Sequence, residues 1–143
     1  GVSHIPFTAK DSHFEIDRDA YMAYFHEMHK LFPRCKKMVM ALRNQLSSRH
    51  HILTGLLYDA EKDTLYTSRL YDIQPIVDPM GVGDAFVAAY IHALVKCAED
   101  NQRNLDFALS ASALKNTISG DQNLVSEDEI LDNITASGGR IKR

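Results

Sequence analysis

The chain has 143 residues, 45% of them hydrophobic, which suffices for one compact domain with its own core and is too short for two. Its formal net charge is -3, and the terminal Arg140-Ile141-Lys142-Arg143 is only a short basic cluster, so a nucleic-acid partner is not expected. No apolar stretch approaches the ~20 residues of a membrane span, and no basic start precedes an apolar run, so the expectation is a cytoplasmic protein with no membrane partner.

In chain order, residues 1–17 are rich in turn formers and show no period. Asp17 or Asp19 can then cap a helix whose Tyr21, Tyr24, Phe25, Met28, Leu31 and Phe32 form one apolar face, with Pro33 as its stop. Residues 38–42 are an apolar run of strand length. A helix feeding a buried strand predicts parallel neighbours. Two antiparallel strands are predicted over 52–58 and 64–71, joined by the charged turn 59–63, and 73–77 is short and extended around Pro75. From 84 to 98 the sequence is apolar almost all round, which predicts a largely buried central helix. An alanine-rich helix follows over 105–117, opened by Asn104. Ser126 is placed to cap a last helix whose Asp128 and Glu129 suit its first turn, and Gly138-Gly139 is read as the end of order. Without repeats or linkers the pattern is α/β, yet a parallel strand ordinarily has neighbours from earlier βα units, and none precede this one.

The two cysteines, Cys35 and Cys97, show neither metal-ligand nor disulfide spacing and are read as reduced thiols. His26 and His29 stand three apart rather than four, which does not suit a zinc-protease helix. His50-His51 have no acid or cysteine nearby in sequence. Asn133-Ile134-Thr135 fits a glycosylation pattern that has no meaning without secretion. There is no nucleophile elbow and no G-x-x-x-x-G-K loop.

Residues 78–86, D-P-M-G-V-G-D-A-F, carry the chemistry. Gly81 and Gly83 permit a tight turn and a close approach of bare N–H groups to a ligand, and the apolar run beyond Asp84 is the helix they open. Read by itself, Asp84 is either a helix cap or a base aimed at a substrate hydroxyl. With Ala88 and Ala89 behind it, the stretch resembles the D-T-x-G-A-G-D-x-F signature of the ribokinase-like sugar kinases, the phosphofructokinase-B (PfkB) family. Residues 38–43, 47–51 and 54–58 resemble the nucleotide-side strand and following hairpin of that family. Residues 113–121 (A-L-K-N-T-I-S-G-D) and 123–125 (N-L-V) are similar to the C-terminal segment of its 2-keto-3-deoxygluconate kinase branch.

The resemblance implies a three-layer αβα ribokinase-like fold represented by its C-terminal portion only. Residues 1–143 would then be the nucleotide-binding and catalytic part, and the N-terminal, sugar-binding half would be absent. It implies ATP-dependent phosphorylation of a sugar acid, 2-keto-3-deoxygluconate to its 6-phosphate, with Mg²⁺ on the phosphates and a monovalent cation beside the loop. Asp84 would be the general base, and the amides of Gly81, Val82 and Gly83 would form, with its own, the anion hole. Asp78 would help hold the cation, although Pro79 and Met80 replace the usual threonines. Arg43 and Asn44, after the first strand, would face the nucleotide in a turn that lacks the family's glycine. Leu109, where the family often has an asparagine, would leave base recognition to apolar or backbone contacts. Lys115 would approach the nucleotide or else be a solvated helix lysine, and Asp121 would reach the sugar or else sit in an ordinary turn.

Three readings stand. One is the sugar-acid kinase, with the segment inactive by itself because its substrate pocket would lie between two halves. The second is another kinase of the family, of fructokinase or ribokinase type. The third is a non-catalytic domain that keeps the turn as scaffolding and binds a nucleotide or a partner. The sequence leaves the oligomeric state open, a homo-oligomer included.

Overall fold

The structure, a computed structural model, describes residues 16–136 and 140–141; the reading of 1–15 and of Gly138-Gly139 lies outside them. Asp17 caps helix α1 (Arg18–Leu31), its carboxylate accepting the Ala20 N–H. The chain then forms strands β1 (Lys37–Ser47), β2 (His50–Asp59), β3 (Thr64–Thr67) and β4 (Tyr71–Ile73), helices α2 (Val82–Lys96), α3 (Asn101–Lys115) and α4 (Glu127–Thr135), and the short strand β5 (Arg140–Ile141). The sheet runs β1-β2-β4-β5, with β3 also pairing β2. The peptide bond between Gln74 and Pro75 is cis.

β2 is the centre. Every residue from His51 to Asp59 is buried, because β1 flanks one edge, β3 and β4 share the other, and helices cover both faces. On one face Leu53 and Leu57 pack with Phe86, Tyr90, Leu105, Ala108 and Leu109 of α2 and α3. On the other, Leu56 and Tyr58 meet Tyr21 and Phe25 of α1, and the Phe25 and Tyr58 rings stack at 5.5 Å. Three layers result, α on β on α.

Five sequence expectations are corrected. β1 is the long arm of an antiparallel hairpin rather than a strand among parallel neighbours, and among the described residues only β4 and β5 pair in parallel. The strand expected over 64–71 breaks into β3 and β4. α3 begins at Asn101 under an Asp100 cap, a turn earlier than Asn104. α2 is not largely buried: Val87, Ile91 and Val95, one turn apart, are 52%, 55% and 83% exposed. Leu31 and Phe32, expected on the buried face of α1, are exposed as well.

The end of β2 is anchored by a buried carboxylate. Asp59 accepts the Asn101 side-chain amide at 2.7 Å and the backbone N–H groups of Glu61 and Lys62 at 3.0 and 3.2 Å. Burial pushes its pKa up, but these donors and the Lys37 charge outweigh burial and hold the carboxyl below the ordinary aspartate value. A group depressed in this way contributes stability in full above its unfolded pKa and loses it as pH falls through the folded one. Asp59→Ala is therefore expected to cost about 2–3 kcal/mol at neutral pH, since it strands buried donors. In acid, below the folded pKa of Asp59, the gap to the parent should narrow. Denaturant unfolding across pH checks both.

Candidate active site

The site grows from the way α2 begins. Gly81, its N-cap, has φ 74, a left-handed conformation that side chains rarely adopt, and a Cβ there would drive into the carbonyl oxygen of Asp121. Gly81 is thus a glycine for folding reasons. Gly83 is not: its φ is ordinary, and a Cβ would meet nothing within 4 Å. The space where its side chain would stand is open.

Side chains cap α1, α3 and α4, through Asp17, Asp100 and the capping box of Ser126 with Glu129, whereas no side chain caps α2. The amides of Val82, Gly83 and Asp84 form this uncapped positive end. Asp84 is exposed in the first turn and makes no hydrogen bond or ion pair among the described residues.

Asp78 holds the approach to this helix. One carboxylate oxygen accepts the Met80 N–H and the other the Gly120 N–H, each at 2.9 Å, so the residue joins the turn before α2 to the turn after α3. These two amides are the main reason its carboxyl is held below the usual range, and the positive charge of Lys115 adds to them. From below, the Asn116 carbonyl accepts the N–H groups of Val77 and Asp78, and the Ser112 hydroxyl donates to the Val82 carbonyl at 3.0 Å. Ser112 and Asn116, one turn apart on α3, are supporting residues that the sequence reading passed over. Their four-residue spacing on a helix otherwise rich in alanine was the available signal.

Asp78, Gly81, Val82, Gly83, Asp84, Lys115 and Asp121 thus gather around one helix end. Asp121 is exposed, with its backbone against Gly81. Lys115 is not solvated; it is 0% exposed, and its ammonium donates to the Ile118 carbonyl.

The other expected nucleotide contacts are placed elsewhere. Leu109 is 0% exposed in the core between α3 and the sheet. Arg43 and Asn44 lie within β1, opposite Leu53 and Ile52, rather than after it. Successive strand residues take opposite faces. Arg43 shares the face of Val39, toward α2 and α3, and Asn44 that of Leu42, toward α1, so the two cannot grip one ligand. Asn44 is buried and Arg43 exposed. The charges of Arg43 and His50 add to burial in lowering the pKa of His51, a 2%-exposed ring beside Asn116.

A groove of about 290 Å³ starts one residue beyond Asp84. Ala85, Ala88 and Ala89 of α2, Phe107 of α3 and Val125 give it apolar walls, among which Asn123, His92 and Glu127 are polar. Among the described residues no three His, Cys, Asp or Glu side chains gather as a metal cluster, and no helix is long and apolar enough to cross a membrane.

The three-layer α/β frame, with an uncapped helix end and a free carboxylate in its first turn, is a ribokinase-like fold of which the chain represents a part. In fold it resembles carbohydrate kinases of the PfkB type. A 2-dehydro-3-deoxygluconokinase of Thermotoga maritima superposes with TM-score 0.77 at 29% identity, covering 84% of this chain and 35% of its own. A PfkB family carbohydrate kinase of Listeria grayi gives 0.74 at 33% identity, covering 79% and 34%. An Enterococcus faecalis chain at 17% identity shares the fold alone, with TM-score 0.70 over 90% of this chain and 37% of its own. The chain therefore spans about a third of the length of the solved chains it matches. No protein-family model matches it, nor does any curated protein sequence.

Proposed function

We propose that this chain is the phosphate-transferring portion of an ATP-dependent carbohydrate kinase whose substrate is a sugar acid of the 2-keto-3-deoxygluconate type. The observation that carries the reading is the pairing of an uncapped α2 terminus with an exposed, unpartnered Asp84 in its first turn. Phosphoryl transfer needs negative charge neutralised on the moving phosphate while an attacking hydroxyl loses its proton. Asp84 takes that proton. The amides of Val82, Gly83 and Asp84 hold the phosphate oxygens on the positive helix end, and the open space at Gly83 lets them approach. Mg²⁺ bound with the nucleotide would offset the charge of its phosphates. The alanine-walled groove beside Asp84 suits the adenosine moiety, and Asn123 at its rim supplies a polar contact in place of the buried Leu109. Asp121, whose backbone lies against Gly81, would reach the sugar side.

The sugar-binding half that the resemblance assigns to the family would supply the rest of the pocket. The chain alone is accordingly expected to bind ADP, and a longer version to turn over ATP with keto-deoxygluconate. Calorimetry with ADP and coupled ATPase assays on both forms test this, and no ADP binding by either form would sink the reading. The Listeria grayi relative, more identical than the Thermotoga one, supports a second reading in which another carbohydrate is the acceptor. A panel of sugars against the longer form separates the two.

A further inference from the structure

We propose that the outward row of α2, Val87, Ile91 and Val95, is the seat on which the sugar-binding portion of this fold docks, so that one surface both completes the fold and brings the acceptor hydroxyl to Asp84. The docking rests on the fold; only the use made of Asp84 rests on the kinase reading.

The three side chains are each more than half exposed and recur every four residues, which on a helix sets them in one row, opposite the buried Val82 and Ala93. Single exposed apolar residues are ordinary, whereas a contiguous row of them marks a surface made to be covered. Among the described residues no other helix carries so long a series of exposed large apolar side chains. Valine and isoleucine suit the task, because β-branched side chains have little rotamer freedom to lose when a partner covers them. Asp84, three residues before Val87 and likewise exposed, stands at the head of the same row.

The occupant follows from how much of the fold is present. The chain superposes over 84% of its own length yet accounts for 35% of the Thermotoga kinase, so about two-thirds of a chain of that fold lies outside it and must join it on surfaces left open here. An occupant that is apolar along Val87 to Val95 and polar at Asp84 fits that portion, since a substrate hydroxyl held there gives the carboxylate a donor. A second copy fits poorly. Row against row, it would offer Asp84 either apolar side chains or a like carboxylate, and the charge would lose water with no donor in return.

The test compares the chain with the longer form that carries the sugar-binding half. Ile91→Cys is alkylated with iodoacetamide in both, and the product is mapped by peptide mass spectrometry to keep it apart from Cys35 and Cys97. The new thiol should react readily in the chain and about tenfold or more slowly in the longer form. Ile91→Asp should leave the Tm of the chain within about 2 °C of the parent and lower that of the longer form by roughly 5 °C or more. A longer form that Ile91→Asp prevents from folding, while the chain melts as the parent does, supports the docking equally. Equal alkylation in the two forms, a longer form indifferent to Ile91→Asp, or a dimer of the chain that shields the Ile91→Cys thiol overturns it. A longer form that shields the row but does not turn over ATP would defeat the kinase reading and leave the docking in place. An active longer form with the row open would do the reverse.

Discussion

Asp84→Asn is expected to lower sugar phosphorylation by about 10²–10⁴-fold in a form of the protein that turns over, while leaving its unfolding midpoint in place. The side chain is exposed and makes no hydrogen bond or ion pair among the described residues, so the fold's stake in its charge is the helix-end attraction alone, about 0.3–1 kcal/mol. An amide of nearly the same shape cannot take a proton from a hydroxyl. Nucleotide affinity should hold or improve, because a negative charge leaves the neighbourhood of the phosphates. Steady-state kinetics with separate ADP titration distinguishes this from a capping role. A cap would show itself as lost stability with kcat preserved, and that outcome would remove the base from the mechanism.

Gly81→Ala is expected to destabilise the chain by roughly 2–4 kcal/mol, from the left-handed backbone and the collision with the Asp121 carbonyl together. The corresponding fall in Tm is on the order of 10 °C. Gly83→Ala should behave in the opposite way. With an ordinary backbone and no neighbour within 4 Å, the added methyl should leave the fold intact or stabilise it by up to about 1 kcal/mol through helix propensity. It should nonetheless weaken ADP binding by about tenfold or more, the equivalent of about 1.4 kcal/mol, because it stands over the amides. Two glycines two residues apart would then separate into one kept for the backbone and one kept for the ligand. Equal ADP affinity in the parent and Gly83→Ala would count against phosphate at this helix end.

The sequence made the local devices readable and the long-range ones opaque. The Asp17 cap, the Ser126 cap, the apolar strand at 52–58 and the glycine turn into α2 all follow from residues close together in the chain, and the structure has each of them. Strand direction was not readable that way. Residues 38–42 look the same as a buried parallel strand or as part of a hairpin, and only the register with β2 decides. The open side of α2 was equally hidden, because a helix apolar all round carries no period to say which face meets the core.

At the site, Asp84 and its glycines were legible because one short motif contains them. Arg43 and Asn44 were placed together although the alternation of a strand sends them apart. Lys115 was read by the habits of its residue type, which favour solvent, while in the fold it is 0% exposed and its ammonium donates to the Ile118 carbonyl.

The two-handed grip of Asp78 has a kinetic corollary. Because one carboxylate restrains both Met80 and Gly120, the stretches leading into α2 and out of α3 should loosen in concert rather than separately. Any motion that admits or releases a bound anion at Gly83 would then be felt at Asp121, a coordination achieved by a single side chain instead of a dedicated lid.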